Sequence, residues 1–408
     1  SQAVQASTAI PGFFKPARFN DVDYLDAGVR KTANISLMVK KKADLIICYN
    51  PFRPFVNTVA DGITGELRSL GDMGFLSVFH GVLKGPRTRT KILFILRKHI
   101  FMSFIFSREV KKHKKHNLPI LALESTIIAH GMPYPENYLF AKNIELNCRN
   151  RGVAPATIAI LDGRIHIGLT NKELKRVCQS KNILKLSKRD LPFALTKKHS
   201  GATTVSSTLW IAYKAGISVF STGGIGGVHR EVEKHFDVSQ DLKALSETPV
   251  VTISAGAKSI LDLPKTMEKL ETLGVPVVGY KSSFFPAFYT RSSGLKVDKT
   301  VTTEKQVALL FLEHLKLGLC SSLLVVNPIS KKNEIPKDKI DFFISDALIK
   351  AKKQGVSGKK LTPFLLETIR RETKGDSLKA NISLAKNNVN LGAKVAQELS
   401  LCVSLTIN

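Results

Sequence analysis

Lys258 lies in Ser254-Ala255-Gly256-Ala257-Lys258-Ser259, directly behind the apolar run Val250-Val251-Thr252-Ile253. A short β-branched run between a proline and a glycine reads as a buried strand. A lysine just past the carboxyl end of such a strand faces the crevice where open α/β sheets bind ligands. Desolvation there lowers the pKa of an amine and frees its lone pair to attack a carbonyl carbon. The structural alternative is a lysine that snorkels to solvent or pairs with a carboxylate. Glu124 occupies a comparable place, at the strand end that opens Leu123-Glu124-Ser125-Thr126-Ile127-Ile128-Ala129-His130-Gly131-Met132-Pro133. A partly desolvated carboxyl has a raised pKa and can donate a proton; a helix-capping acid would occupy the same position.

Four further segments carry polar chemistry. Lys185, Lys188 and Arg189 crowd a strand end and suit a phosphate or a polar substrate rim, as they would a solvated loop. Gly201 to Thr208, with Thr204 and Val205 at its centre, opens a helix with small hydroxyl residues and backbone N–H groups, which fits an anion or an ordinary N-cap. Thr222-Gly223-Gly224-Ile225-Gly226-Gly227-Val228-His229-Arg230 lets backbone approach a ligand closely, with His229 and Arg230 at hand. Its glycine spacing departs from G-x-G-x-x-G, so it gives little support to dinucleotide binding. Asp237 and Asp241 flank Ser239 and Gln240; two aspartates at this spacing suit a hard divalent cation held through few carboxylates and several waters, or the N-cap of the next helix.

The elements that must position these groups follow from hydrophobic periodicity. Strands are expected at 118–123, 183–186, 217–221, 250–254, 275–280 and 322–326, with a type I′ hairpin formed by 157–161, Asp162-Gly163 and 164–168. Helices are expected at 137–149, 203–215, 240–246, 263–273 and 304–317, with three more starting at Asp338, Leu361 and Ser377. This alternation implies an α/β fold with a largely parallel central sheet flanked by helices. Before residue 116 the pattern is poor. One strand is legible at 42–50, and 107–116 reads as a basic helix or tether, giving an N-terminal extension over 1–116 and one domain over 117–408.

Of 408 residues, 43% are hydrophobic and 23% charged, as in an ordinary globular protein, but the net charge is +28 and the pI about 9.9. Residues 1–116 hold 20 basic and 8 acidic side chains, net +12; the remainder hold 41 and 25, net +16. A basic surface favours phosphate-bearing ligands, yet no aromatic-interleaved nucleic-acid signature accompanies it. Five scattered cysteines, Cys48, Cys148, Cys178, Cys320 and Cys402, form no CxxC pair, which argues for a reducing compartment and against structural zinc. The apolar stretch 92–106 is too short and too charged to span a bilayer. The chain opens with Ser rather than Met and its first residues lack a signal-peptide pattern, so the expected location is cytoplasmic, with an organelle also compatible.

Taken in order, Glu124-Ser-Thr-Ile, Gly201-Ala-Thr-Thr-Val, Thr222-Gly-Gly-Ile-Gly-Gly-Val-His-Arg, Asp237-Val-Ser-Gln-Asp-Leu, Ala255-Gly-Ala-Lys258-Ser-Ile-Leu-Asp and Gly375-Asp-Ser-Leu-Lys-Ala-Asn381 resemble the pseudouridine-5′-phosphate glycosidase family from about residue 117 to about 406. The resemblance implies reversible cleavage of the C–C glycosidic bond of pseudouridine 5′-phosphate to uracil and ribose 5-phosphate. By that likeness Lys258 forms a Schiff base with C1 of the ring-opened sugar and Glu124 protonates the departing uracil carbon. Asp237 is the manganese ligand. Lys185, Thr204, Val205, His229, Ser239, Gln240 and Asp241 contact substrate, and Asn381 helps the uracil or the ring-opening step. The resemblance also implies Mn2+ in each subunit and a homotrimer. The sugar-kinase domain that follows the glycosidase in many eukaryotic relatives is missing from this chain, so a separate pseudouridine kinase is expected upstream. No nucleic-acid or membrane partner is expected. The competing readings are another Schiff-base lyase acting on a sugar phosphate and, from charge alone, a basic nucleic-acid-binding protein.

Overall fold

The computed structural model describes residues 17–19, 22–24, 103–356 and 361–407. It divides the chain into two compact units, residues 1–102 and 103–408. In the first, β1 (Ala17–Phe19) pairs antiparallel with β2 (Val22–Tyr24). The strand expected at 42–50 lies outside the described residues.

The second unit is built on an eleven-stranded sheet. Its central run is β12 (Lys299–Val301), β11 (Val277–Tyr280), β13 (Leu323–Val326), β10 (Val251–Ser254), β9 (Val219–Ser221), β4 (Ile120–Leu123) and β5 (Ala154–Leu161). Every neighbouring pair in that run is parallel. All residues of β10, β13 and β5 are buried, as in strands covered by helices on both faces, and β13 is a continuous apolar run, Leu323-Leu324-Val325-Val326. The expected α/β class is what the structure has.

β5 is long enough to serve two sets of partners within the sheet. Its first half pairs with β4, and its second half with β6 (Arg164–Ile167) and β8 (Gly201–Thr203), both antiparallel. β7 (Leu184–Leu186) runs parallel to β8. The β5–β6 turn has positive φ at both Asp162 (50°) and Gly163 (71°), as a type I′ turn requires. Residues 201–203, expected to begin a helix, extend the sheet instead, and the helix starts at Val205. Pairing to β7 and β5 outweighs the weak local helix preference of Gly and Thr.

The domain boundary moves. The compact unit begins at Ser103, where the sequence pattern had set the start at 117. β3 (Phe104–Phe106) adds parallel to β6. The basic segment is a capped helix, Arg108–Lys115, not a tether: the Ser107 hydroxyl accepts from the Val110 N–H at 3.2 Å, Val110 is fully buried, and Glu109 meets Arg149 at 3.0 Å. One apolar side chain in eight residues anchors it, too faint a period to read against four lysines. Cys148 and Cys178 are buried free thiols pushed up to about 12 by desolvation, so neither is a nucleophile at neutral pH.

The helix Asp376–Ile407 crosses under β4, β9 and β10. From it the buried Asn388 amide donates to the carbonyls of Thr222 (2.8 Å) and Gly223 (3.2 Å) and accepts from Asn327 Nδ2 (3.0 Å). One side chain thereby ties together the carboxyl ends of β9 and β13. Asn388→Leu is expected to strand two buried polar groups, the Thr222 carbonyl and the Asn327 amide, and to cost about 2–4 kcal/mol of stability, read by chemical denaturation.

Candidate active site

The carboxyl ends of β4, β9 and β10 lie side by side, and each releases one part of the site: Glu124 after β4, Thr222-Gly223-Gly224 after β9, and the Ala255–Lys258 loop after β10. This is the edge at which open parallel sheets bind ligands. Gly256 needs its positive φ of 76°, and a Cβ there would strike the Pro286 carbonyl, so the loop reaches Lys258 only through glycine.

Two spaces meet at this edge. A small chamber is lined by Glu124, Lys185, Gly223, Lys258, Phe288 and Asn381. A wide cleft shares Glu124, Lys185 and Lys258 with it and continues past Thr204, His229 and Asp237. The resemblance's residues therefore assemble in one place. Lys258, Glu124, Lys185 and Asn381 surround the chamber. Lys185, Thr204, Val205, His229, Asp237, Ser239, Gln240 and Asp241 border the cleft. Lys185 sits within β7 itself rather than beyond it.

Glu124 keeps a little surface toward the chamber, but protein encloses its carboxyl. Desolvation pushes it up to about 6 against the opposing pull of the Lys258 ammonium and a hydrogen bond donated by the Thr222 hydroxyl. A carboxyl in that range carries a proton in a useful fraction of molecules near neutrality. Asn381 is 5% exposed, and its Oδ1 has no hydrogen-bond partner.

The aspartates divide the work. The Asp241 carboxylate accepts from the N–H groups of Ser206 (3.0 Å) and Gly226 (2.9 Å), so both its oxygens hold backbone. It locks the glycine loop to the start of the helix Val205–Lys214. Gly226 must be glycine, since an added Cβ would sit 2.8 Å from Asp241 Oδ2. Ser239 caps the helix Gln240–Glu247, its hydroxyl accepting from the Asp241 N–H at 3.2 Å, and Gln240 accepts from the Arg189 N–H at 3.2 Å. Thr204 stands at the N-cap of 205–214 and meets the Ser206 hydroxyl at 3.1 Å. Asp237 remains open to the cleft with 36% of its side chain exposed; His229 Nε2 lies 3.9 Å away, and burial holds that imidazole below its usual range. Among the described residues no three His, Cys, Asp or Glu side chains gather to hold a metal.

Several lining residues escaped the sequence reading: His130, Phe288 and the roof formed by Thr362, Pro363 and Leu366; so did Thr222 as the partner of Glu124. His130 was findable, because Thr126, Ile127 and His130 recur at helical spacing behind Glu124 and share one face. The roof has no local signal; it is supplied by the distant helix Leu361–Glu372.

The model of the indigoidine synthase A-like protein family matches residues 109–398. A pseudouridine-5′-phosphate glycosidase of Petrotoga mobilis is 51% identical over 293 residues, covering 72% of this chain and 96% of the relative. One of Staphylococcus aureus is 50% identical over 291 residues, covering 71% and 95%. The chain belongs to the pseudouridine-5′-phosphate glycosidase family. Two solved structures share its fold at 33% identity. An indigoidine synthase A-like protein of Thermotoga maritima has a TM-score of 0.67 over 73% of this chain and 96% of that one. A prealnumycin C-glycosynthase in complex with ribulose 5-phosphate has a TM-score of 0.69 over 75% and 99%. The family match opens inside the helix Arg108–Lys115, in keeping with a domain that starts before residue 117.

The raised Glu124 carboxyl makes a stability prediction for this glycosidase-family site. A carboxyl whose folded pKa lies above its unfolded value favours folding at low pH, and that contribution is lost as pH rises through about 6. Glu124→Gln keeps an oxygen for Thr222 and has nothing to ionise. Relative to wild type it should gain up to about 2 kcal/mol between pH 4.5 and pH 8, read from denaturation at the two pH values.

Proposed function

We propose that this chain cleaves the C–C glycosidic bond of pseudouridine 5′-phosphate reversibly, giving uracil and ribose 5-phosphate. The observation that carries this reading is a carboxyl raised to about 6 in the same small chamber as Lys258, beside the buried Asn381 amide.

A carbon-linked base does not leave as a glycosidic oxygen does, so a pair of carboxylates alone is insufficient. The Lys258 amine attacks C1′, the ring oxygen departs with a proton, and the sugar opens. When the C1′–C5 bond breaks, its electron pair passes to uracil C5, and the lysine nitrogen stabilises C1′ as an iminium. Glu124 delivers the proton to C5. Water then adds to the iminium, releases ribose 5-phosphate and the amine, and returns a proton to Glu124. One water is consumed overall.

The wide cleft suits the 5′-phosphate. Lys185 and Arg189 border it, and the helices starting at Val205 and Gln240 both open into it. Asp237 and its neighbour His229 are the open donors there. A single carboxylate completed by water and substrate oxygens is a fitting hard-donor set for Mn2+, which would add fixed positive charge beside the sugar phosphate. Ser239 and Gln240 act through backbone and amide groups at the same helix start, and Asp241 by holding that start in place. A homotrimer, a separate kinase that phosphorylates free pseudouridine, and a cytoplasmic setting complete the proposal. No described helix is long and apolar enough to cross a membrane.

The test is uracil release from pseudouridine 5′-phosphate with and without Mn2+. Lys258→Ala is expected to lower turnover by at least about 10³-fold with the fold retained. Asp237→Ala should remove the Mn2+ dependence. Full turnover in Lys258→Ala would sink the proposed role of the amine.

A further inference from the structure

His130 is outside the set of residues the resemblance assigns, yet its ring lines the chamber that also holds Glu124, Lys258 and Asn381. It sits at the end of the helix Thr126–His130, one turn from Thr126 and Ile127, which line the same chamber. Its Nε2 is fully buried and has no hydrogen-bond partner. Only one other chamber-lining side chain among the described residues has such a buried, unpartnered atom, Asn381 Oδ1. Both residues also line the adjoining pocket behind Gly131 and Met132, so they stand at the same back wall.

The chemistry of the two atoms is alike. The backbone of Leu184 engages the imidazole, and burial beside Lys185 keeps the ring neutral at neutral pH. A neutral imidazole keeps one lone-pair nitrogen, and Nε2, buried without a protein partner, is free to be that acceptor. An amide oxygen is likewise an acceptor. Two buried acceptors without protein donors are costly, and a ligand with two N–H groups relieves both.

We infer that His130 Nε2 and Asn381 Oδ1 each accept one ring N–H of the base, and that His130 is a specificity-determining residue for a carbon-linked uracil. A uracil joined through C5 has N1–H and N3–H both free. A uracil joined through N1, as in an ordinary uridine phosphate, has only N3–H and would leave one acceptor unpaired. The pair of acceptors thus selects the C-glycoside over the N-glycoside before any bond breaks. This inference rests on the reading of the chamber as the base site.

The experiment runs the reaction in the condensation direction with uracil and ribose 5-phosphate and separates the two Michaelis constants. His130→Ala should raise KM for uracil about 10- to 100-fold and leave KM for ribose 5-phosphate within about twofold. His130→Gln, which places an amide acceptor near the Nε2 position, should restore most of the uracil affinity. Uridine 5′-phosphate should inhibit His130→Ala relatively better against pseudouridine 5′-phosphate than it inhibits wild type. An unchanged uracil KM in His130→Ala, or an equal rise in both constants, would overturn the inference. Absence of condensation in wild type would instead overturn the glycosidase reading.

Discussion

A carboxyl enclosed by protein beside a lysine ammonium is the constraint on which the rest of the site depends. Burial pushes Glu124 up, and Lys258 and the Thr222 hydroxyl pull it down; burial prevails and leaves it near 6. Each of these influences has a structural source. Phe288 and the roof at Pro363 and Leu366 wall the chamber that Glu124 faces, the opposing charge comes from the loop after β10, and the hydroxyl from the end of β9. When Lys258 becomes neutral to act as a nucleophile, one of the forces lowering the Glu124 pKa vanishes. Acid and nucleophile are then coupled in the sense the reaction needs, because activating the amine makes the carboxyl a firmer proton holder.

The fold meets this constraint by parallel pairing. β4, β9 and β10 end in register at one edge, so three chain segments far apart in sequence deliver Glu124, Thr222 and Lys258 to neighbouring positions. Polar clamps behind the edge keep it there. Asn388 holds the ends of β9 and β13, and Asp241 holds the glycine loop against the helix at Val205. Neither clamp needs to touch substrate. Asp241 borders the cleft and fixes backbone at the same time.

The parallel sheet was legible because strands buried on both faces favour apolar and β-branched residues, as in Val-Thr-Ile-Ser at 251–254 and Leu-Leu-Val-Val at 323–326. The Asp162-Gly163 hairpin was legible because only a few residues tolerate two positive φ values in a row. The chemical pair Lys258 and Glu124 could be read from strand ends. What stayed hidden depended on partners distant in sequence. Residues 201–203 became a strand through pairing with β5 and β7, and the Arg108–Lys115 helix docks through one valine amid lysines. The two backbone partners of Asp241 lie 35 and 15 residues away, so its clamp on the glycine loop had no local signal. His130 was passed over although it shares a helical face with Thr126 and Ile127, because the helix is only five residues long.

The central claim is that Lys258 forms a covalent iminium with C1 of an opened ribose phosphate. It is tested most directly by borohydride reduction of wild-type protein incubated with ribose 5-phosphate, followed by peptide mass spectrometry. The account predicts a reduced sugar-phosphate adduct on Lys258, absent when borohydride is omitted. An unmodified Lys258, with the adduct on another lysine or nowhere, would contradict it.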